Sequence, residues 1–188
     1  MTSKVTVITA TIPGREELLE RARKSVGEQT VQPYAHLIRL DTERSGGAFT
    51  KNKLFASVNT EWFMVLDDDD FLLPQHIQTL LAHSEGYDIV GSWHEGQNPT
   101  YNRPLSEVID HNNVLRHGIP HTAIVRSELF SRLGGFAIQA AYDTKFWEDA
   151  VKAGAKVNIV EQRTWVYDTD QSRPHESLGG LPWASENA

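Results

Sequence analysis

Cysteine is absent from the chain. That removes disulfides and any thiolate metal site and is compatible with a reducing cytoplasm, which is the expected location. No apolar run approaches the roughly 20 residues that cross a bilayer, so no transmembrane segment is expected. The residues ahead of Val5 lack the basic-then-apolar pattern of a secretory leader. A surplus of positive charge is also missing: 18 Lys and Arg face 25 Asp and Glu, for a net charge of −7. Such a chain has no general attraction for nucleic acid or anionic lipid, and no local basic site for nucleic acid stands out. No Gly-x-Gly-x-x-Gly follows a strand-like run, which excludes a Rossmann dehydrogenase. The remainder is ordinary soluble composition, 39% hydrophobic and 23% charged over 188 residues, enough for one domain with a real core.

What is present is an alternation of two periodicities. Apolar runs at 5–9 (VTVIT), 36–40 (HLIRL), 62–66 (WFMVL) and 88–93 (DIVGSW) predict strands, with two more at 122–125 and 157–160. Helical patterns lie between them. Leu18, Leu19, Ala22 and Val26 share one face after a Thr11-Ile12-Pro13-Gly14 loop, and a Gly46-Gly47 turn leads into a helix over 50–58. Pro74 suits the first turn of a helix whose stripe is Ile77, Leu80 and Leu81. Helices near 127–133 and 143–153 follow, while the polar, His- and Asn-rich stretch 94–118 takes no assignment. The alternation predicts a single α/β/α sandwich over residues 1–178 with a mostly parallel mixed sheet, and a flexible tail at 179–188. Ligands of such sheets bind beyond the carboxyl ends of the strands. Asp41 and the run Asp67, Asp68, Asp69 and Asp70 fall at such ends.

Four adjacent carboxylates repel one another, so the stretch VLDDDDFLLP (65–74) poses the question of what it binds. A solvated acidic turn is one answer. A calcium loop of EF-hand type counted from Asp67 fails, because the positions that need Gly and Glu hold Leu72 and Gln78. The remaining answer is a divalent ion, Mn2+ or Mg2+, shared between strand-end carboxylates and the phosphate of a substrate.

The segment FMVLDDDDFLLP resembles the Asp-x-Asp region of family 2 glycosyltransferases, nucleotide-sugar enzymes of the GT-A fold, with Asp67 and Asp69 as the motif acids. VTVITATIPGREELLERARKSVGEQT is similar to that family's opening strand, Pro-containing loop and helix. Lys51-Asn52 stands where the family commonly has Arg-Asn, IVRSELFSRLGGF resembles its stretch ending in Gly-Gly-Phe, and SRPHES its Arg-x-His-x-x-Ser. The likeness runs in order from about residue 5 to residue 178, with 94–118 matching poorly. It implies a metal-dependent, inverting transfer of a sugar from a nucleoside diphosphate sugar, a UDP-sugar being favoured, to an acceptor hydroxyl. It places Thr11, Ile12, Pro13, Arg15, Asp41, Lys51, Asp67 and Asp68 on the donor side, with Asp41 accepting from a base N–H and Lys51 near the base or diphosphate. The alternative for Lys51 is a surface lysine in a helix's first turn. Asp69 and the C-terminal His175 are the implied metal ligands.

An inverting transfer needs a carboxylate base. The family's base is the Asp of a Glu-Asp pair eleven residues before a helix-ending Gly. Counting back from Gly154 gives Asp143, with Tyr142 in the Glu position, and not the adjacent pair Glu148-Asp149. Helical phase agrees: at ~100° per residue, Phe146, Trp147, Ala150 and Val151 centre near the direction of Asp143, whereas Glu148 and Asp149 point away. An N-cap is the alternative role for Asp143. Two other functions compete with transfer. A nucleotidyltransferase of similar fold would carry a Gly-rich basic loop, of which TIPGREE is a poor version, and a non-catalytic sugar-nucleotide or glycan-binding module would have lost the base. His111, His117 and His121 hint at a metal hydrolase, but three histidines in a polar segment do not by themselves make such a site.

Overall fold

The structure, a computed structural model, describes residues 3–96, 100–110, 112 and 115–168. The expected tail and His175 lie outside the described residues. The first strand, β1 (Val5–Thr11), is buried along its whole length, as a β-branched run flanked in the sheet and covered on both faces should be. It is followed by α1 (Glu16–Gly27), β2 (Ala35–Leu40), α2 (Gly47–Phe55), β3 (Trp62–Val65), β4 (Phe71–Leu72) and α3 (His76–Ala82). The second half contains β5 (Ile89–Glu95), α4 (Leu105–Val108), β6 (Ile124–Arg126), α5 (Ser127–Leu133), α6 (Tyr142–Lys152) and β7 (Val157–Val166).

One seven-stranded sheet results, in the order β2-β1-β3-β6-β5-β7-β4. β1 pairs in parallel with β2 and β3, and β5 with β7, whereas β6 is antiparallel to both β3 and β5 and β4 is antiparallel to β7. Five strands therefore point one way and two oppose them. The chain moves from β1 outward to β2 and then back across β1 to β3. That reversal leaves a crevice at the carboxyl ends of β1 and β3, the place where α/β sheets bind ligands.

Side-chain alternation divides the core into two layers. Trp62 and Met64 of β3 join Val5, Val7, Ala22, Val26, Ile77 and Leu80 on one face, under α1 and α3. Phe63 and Val65 join Ile8, Leu54, Phe130, Phe146 and Trp147 on the other, under α2, α5 and α6. This period of two makes the molecule a three-layer α/β/α sandwich.

The differences from the sequence expectation have local causes. α2 begins at Gly47, three residues earlier than expected, because Gly46 at φ 97 turns the chain in a conformation open mainly to glycine. Pro74 stands just ahead of α3, whose N-cap is Gln75. β7 runs on to Val166 because register shifts beside Ser92, Trp93 and His94 let it keep pairing with β5, and its far end also pairs with the two-residue β4. Within the unassigned stretch 94–118, α4 buries Val108 against Gly118, where a Cβ would meet Val108 Cγ2 at 2.6 Å.

Candidate active site

Each of the four carboxylates in the run 67–70 has a cationic partner, which is how their repulsion is met. Asp67 Oδ1 receives Lys51 Nζ at 2.6 Å. Asp68 Oδ2 accepts the Thr11 hydroxyl at 2.6 Å, and its Oδ1 lies 3.2 Å from Arg15. Asp69 pairs with Arg15 through its carboxylate and accepts from Arg21 at its carbonyl. Asp70 Oδ2 lies 2.7 Å from His121 Nε2, while its Oδ1 accepts the Asp168 N–H at 2.8 Å. The side chains alternate in exposure: Asp67 and Asp69 are 36% and 29% exposed, Asp68 and Asp70 only 4% and 2%. Outward acids face the crevice and inward acids brace the loop.

Protonation follows those partners. Burial pushes the Asp67 carboxyl up, but Lys51, His121 and Arg15 outweigh it and hold Asp67 well below the usual carboxylate range. Burial dominates at Asp68, raising it to about 6 despite the Thr11 hydrogen bond and Arg15. It dominates at Asp70 as well, which is raised against the pull of His121. Burial would depress His121, yet Asp67 and Asp70 lift it to about 9.

Asp67, Asp70 and His121 form a donor group whose ligating atoms all lie within 4.8 Å of one another. His121 Nε2 is buried and, for all its closeness to Asp70, has no partner in hydrogen-bond geometry. His121 Nε2 is also 3.8 Å from Asp67 Oδ2. Once it gives up its proton, this nitrogen between two carboxylates suits a divalent ion. Asp69, the ligand expected from sequence, pairs with Arg15 and is not part of this group. Along the chain His121 has no acidic neighbour; the fold supplies two. In the antiparallel β3–β6 pair Met64 faces Ile124, and continuing that register three residues brings Asp67 opposite His121.

The remaining expected residues surround this group. Thr11 and Ile12 are buried at the end of β1, and Pro13 is exposed beyond them. Asp41 ends β2; its two oxygens accept the N–H groups of Ser45 and Gly46, each at 2.9 Å. Burial opposes those bonds, but they prevail and lower its pKa. A pocket of about 100 Å³ opens beside it, lined by Arg39, Asp41, Thr42, Glu43, Phe49 and Thr50 among others. Lys51 is buried rather than a surface lysine, and Asn52 beside it bonds both the N–H and the carbonyl of Phe136, at 2.9 and 2.8 Å. Gly135, at φ 83, is needed for that approach, since a Cβ there would sit 2.8 Å from Asn52 Oδ1. This clasp fixes the Gly-Gly-Phe loop against α2 on the approach to α6.

At the start of α6, Tyr142 hydroxyl lies 2.5 Å from Lys51 Nζ. Asp143 is half-buried in the helix's first turn and accepts the Thr144 N–H at 2.8 Å. The N-cap is Ala141, not Asp143. Tyr101 and Tyr167 are raised by burial first and then by charges that include Asp67, Asp70 and Asp143, so Asp143 acts on the same enclosed space as the acidic run. Glu148 and Asp149 instead pair with Lys152 and Lys145 one turn along the helix surface.

Solved structures share this architecture. Residues 1–349 of TarS from S. aureus in complex with UDP superpose with a TM-score of 0.71 at 15% identity, over 88% of this chain and 60% of that one. The same protein with UDP-GlcNAc gives 0.73 at 15% identity, over 95% and 62%. The mannosyltransferase PcManGT from Pyrobaculum calidifontis, in complex with GDP-Man and Mn2+, gives 0.67 at 16% identity, over 89% and 57%. The chain thus spans about 60% of the length of these TarS structures, and at such identities the likeness is one of fold. No curated protein sequence matches the chain, and no helix among the described residues is long and apolar enough to cross a membrane. The family described as Glycosyl transferase family 2, however, matches residues 14–148, a span that takes in the acidic run, Lys51, His121 and Asp143. The chain belongs to glycosyl transferase family 2.

Proposed function

We propose that the protein transfers a sugar from a nucleoside diphosphate sugar, UDP-linked in our reading, to an acceptor hydroxyl with inversion at the anomeric carbon, with Mn2+ or Mg2+ as its ion. The observation that carries this is the convergence of Asp67, Asp70 and the orphaned His121 Nε2 at the β1/β3 crevice, beside the helix start that bears Asp143. Two carboxylates and an imidazole are a donor set that suits Mn2+. When bound, the ion offsets the negative charge of the departing diphosphate. His175 joins the proposal as a further ligand: the described chain ends at Asp168, whose N–H is bonded to Asp70.

In this reading Thr11, Ile12, Pro13 and Asp41 line the nucleoside, and the pocket at the end of β2 receives the base. Asp41 keeps lone pairs for a base N–H beyond the two backbone bonds it accepts. Arg15 and Lys51 provide the cationic side of the diphosphate site, and Asp67 and Asp68 anchor them there. Asp143 removes the proton from the acceptor hydroxyl as that oxygen attacks. The complexes of the structural neighbours with UDP, UDP-GlcNAc and GDP-Man support a nucleotide-sugar donor.

Thermal shifts with UDP and GDP, each with and without Mn2+, test the donor and ion together. A Mn2+-dependent rise in melting temperature is expected for the wild type, retained in Asp143→Asn and lost in Asp70→Asn. Sugar transfer, or donor hydrolysis where no acceptor is supplied, should fall ~10²–10⁴-fold in Asp143→Asn. A wild-type protein that no nucleotide stabilises sinks the donor reading. Undiminished turnover in Asp143→Asn sinks the assignment of the base.

A further inference from the structure

Lys51 is buried, with its side chain 5% exposed, and its ammonium has two short partners. Asp67 Oδ1 lies at 2.6 Å and the Tyr142 hydroxyl at 2.5 Å, while the centre of the Tyr142 ring is 5.1 Å away. The backbone on either side of this contact is fixed, because Asn52 clasps Phe136 through two hydrogen bonds. Asp67 is therefore divided between two claims. One oxygen belongs to Lys51 and the other is turned toward His121 and the donor group.

We infer that Lys51, positioned by Tyr142, is a resident counter-cation that competes with the divalent ion for Asp67 and so makes ion binding depend on the diphosphate. The inference rests on the reading of Asp67, Asp70 and His121 as the ion's ligands. The charge balance gives the reason. Without an ion, Lys51 offsets the charge of Asp67, the carboxylate it touches. A divalent ion that reaches Asp67 meets an ammonium already in contact with the same carboxylate, and like charges at that range repel. The loaded site then holds an excess of positive charge, which a diphosphate offsets. Tyr142 is neutral and cannot release Lys51 by taking over its charge; it only holds the ammonium in place.

The test measures Mn2+ binding by electron paramagnetic resonance of the free ion, alone and with UDP or GDP in separate titrations. The proteins are the wild type, Lys51→Met, Tyr142→Phe and Asp70→Asn. Lys51→Met should bind Mn2+ alone about tenfold or more tightly than the wild type, and should lose most of the enhancement that nucleotide produces. Tyr142→Phe keeps the ring and removes the hydroxyl, so both quantities should move the same way by less. A purely packing role for Tyr142 would leave Mn2+ affinity unmoved. If Asp70→Asn abolishes binding while a folded Lys51→Met binds no more tightly than the wild type, the competition is refuted and the ion site stands. Should Lys51→Met fail to fold, an unchanged Mn2+ affinity in Tyr142→Phe refutes it. A wild-type protein that binds no Mn2+ under any condition overturns the competition and the ion site together.

Discussion

His76 and His121 are both buried, yet at neutral pH the first is uncharged and the second is a cation. His76, at the start of α3, is fully enclosed, and burial lowers its pKa to about 4. As a neutral ring its Nε2–H donates to the Thr122 carbonyl at 3.1 Å, and its Nδ1 accepts from the Thr164 hydroxyl at 2.7 Å. Thr164 Oγ1 in turn meets Ser92 Oγ at 2.5 Å, and the Ser92 carbonyl accepts the Trp165 indole N–H at 3.1 Å. The chain of bonds closes with no carboxylate in it. Around His121 the same burial is overruled by Asp67 and Asp70, and the ring is lifted to about 9 with its Nε2 2.7 Å from Asp70 but outside hydrogen-bond geometry. A buried polar network that satisfies itself specifies the packing of a core. One that holds charge and leaves an atom unmatched is arranged around something that arrives later. Both rings are buried, so the contrast comes from their neighbours rather than from depth.

The largest effect expected from this contrast is on ligand binding. His121→Gln should eliminate the Mn2+-dependent stabilisation by nucleotide and lower transfer by at least ~100-fold, since even outer-shell losses reach that size in metal sites. His76→Gln should leave the Mn2+ dependence intact, because its partners are a hydroxyl, a thioether and a carbonyl. Equal loss of Mn2+ dependence in the two variants, measured by thermal shift, would erase the distinction between the clusters.

The next effect is on stability and has a definite sign. The folded pKa of His76 lies near 4, while an unfolded His titrates near 6.5. The unfolded chain therefore binds more protons between these values, and stability falls as pH drops through that window. The contribution of His76 is fully present above pH 6.5 and gone below pH 4. At pH 5.5 roughly 1 kcal/mol should already be lost relative to neutral pH from this group alone. Burial and Arg23 also lower His36 to about 4, so it acts in the same direction, and Asp68, raised to about 6, acts against them. The change in urea midpoint between pH 7.5 and 5.5 should consequently be smaller in His76→Gln than in the wild type. Identical pH dependence in the two proteins would mean that His76 is charged in the folded state or not enclosed.

How much of this is legible in the sequence depends on whether a feature's partners are close in the chain. The strands β1, β2 and β3 announce themselves as apolar runs, and the acids that end them stand next to those runs, so the amino-acid order alone locates the crevice. The helix that bears Asp143 can be phased because Phe146, Trp147 and Ala150 define its buried side. His121 cannot be read the same way. Its acids lie more than 50 residues earlier, and they reach it only because β6 is antiparallel to β3. Had β6 been parallel, as the alternation of elements suggests for most of the sheet, residue 121 would have fallen at the opposite end from Asp67. Lys51 gives a similar lesson: a lysine in a short helix reads as solvent-facing until Tyr142, from the far half of the chain, closes over it. β4 escapes a reading by pattern because two residues carry no periodicity and pair only through the prolonged β7.

The smallest effects should fall on the acidic pair of α6, Glu148 and Asp149. Glu148 and Asp149 each have a lysine one turn along α6, and their side chains are 39% and 41% exposed. Exposed pairs at this spacing contribute only ~0.3–0.5 kcal/mol, because water screens both charges and the long side chains lose freedom in meeting. Glu148→Gln and Asp149→Asn should therefore shift stability by no more than about 0.5 kcal/mol each and leave sugar transfer nearly unchanged. Asp143 differs from them by facing the buried side of the helix, where its charge reaches Tyr101, Tyr142 and Tyr167 together with that of the acidic run. Rate measurements on Asp143→Asn and Asp149→Asn side by side put that difference to the test. Transfer abolished by Asp149→Asn and preserved in Asp143→Asn would move the base to the outer face of α6. The acceptor would then have to approach over the Lys145 and Lys152 surface rather than through the crevice.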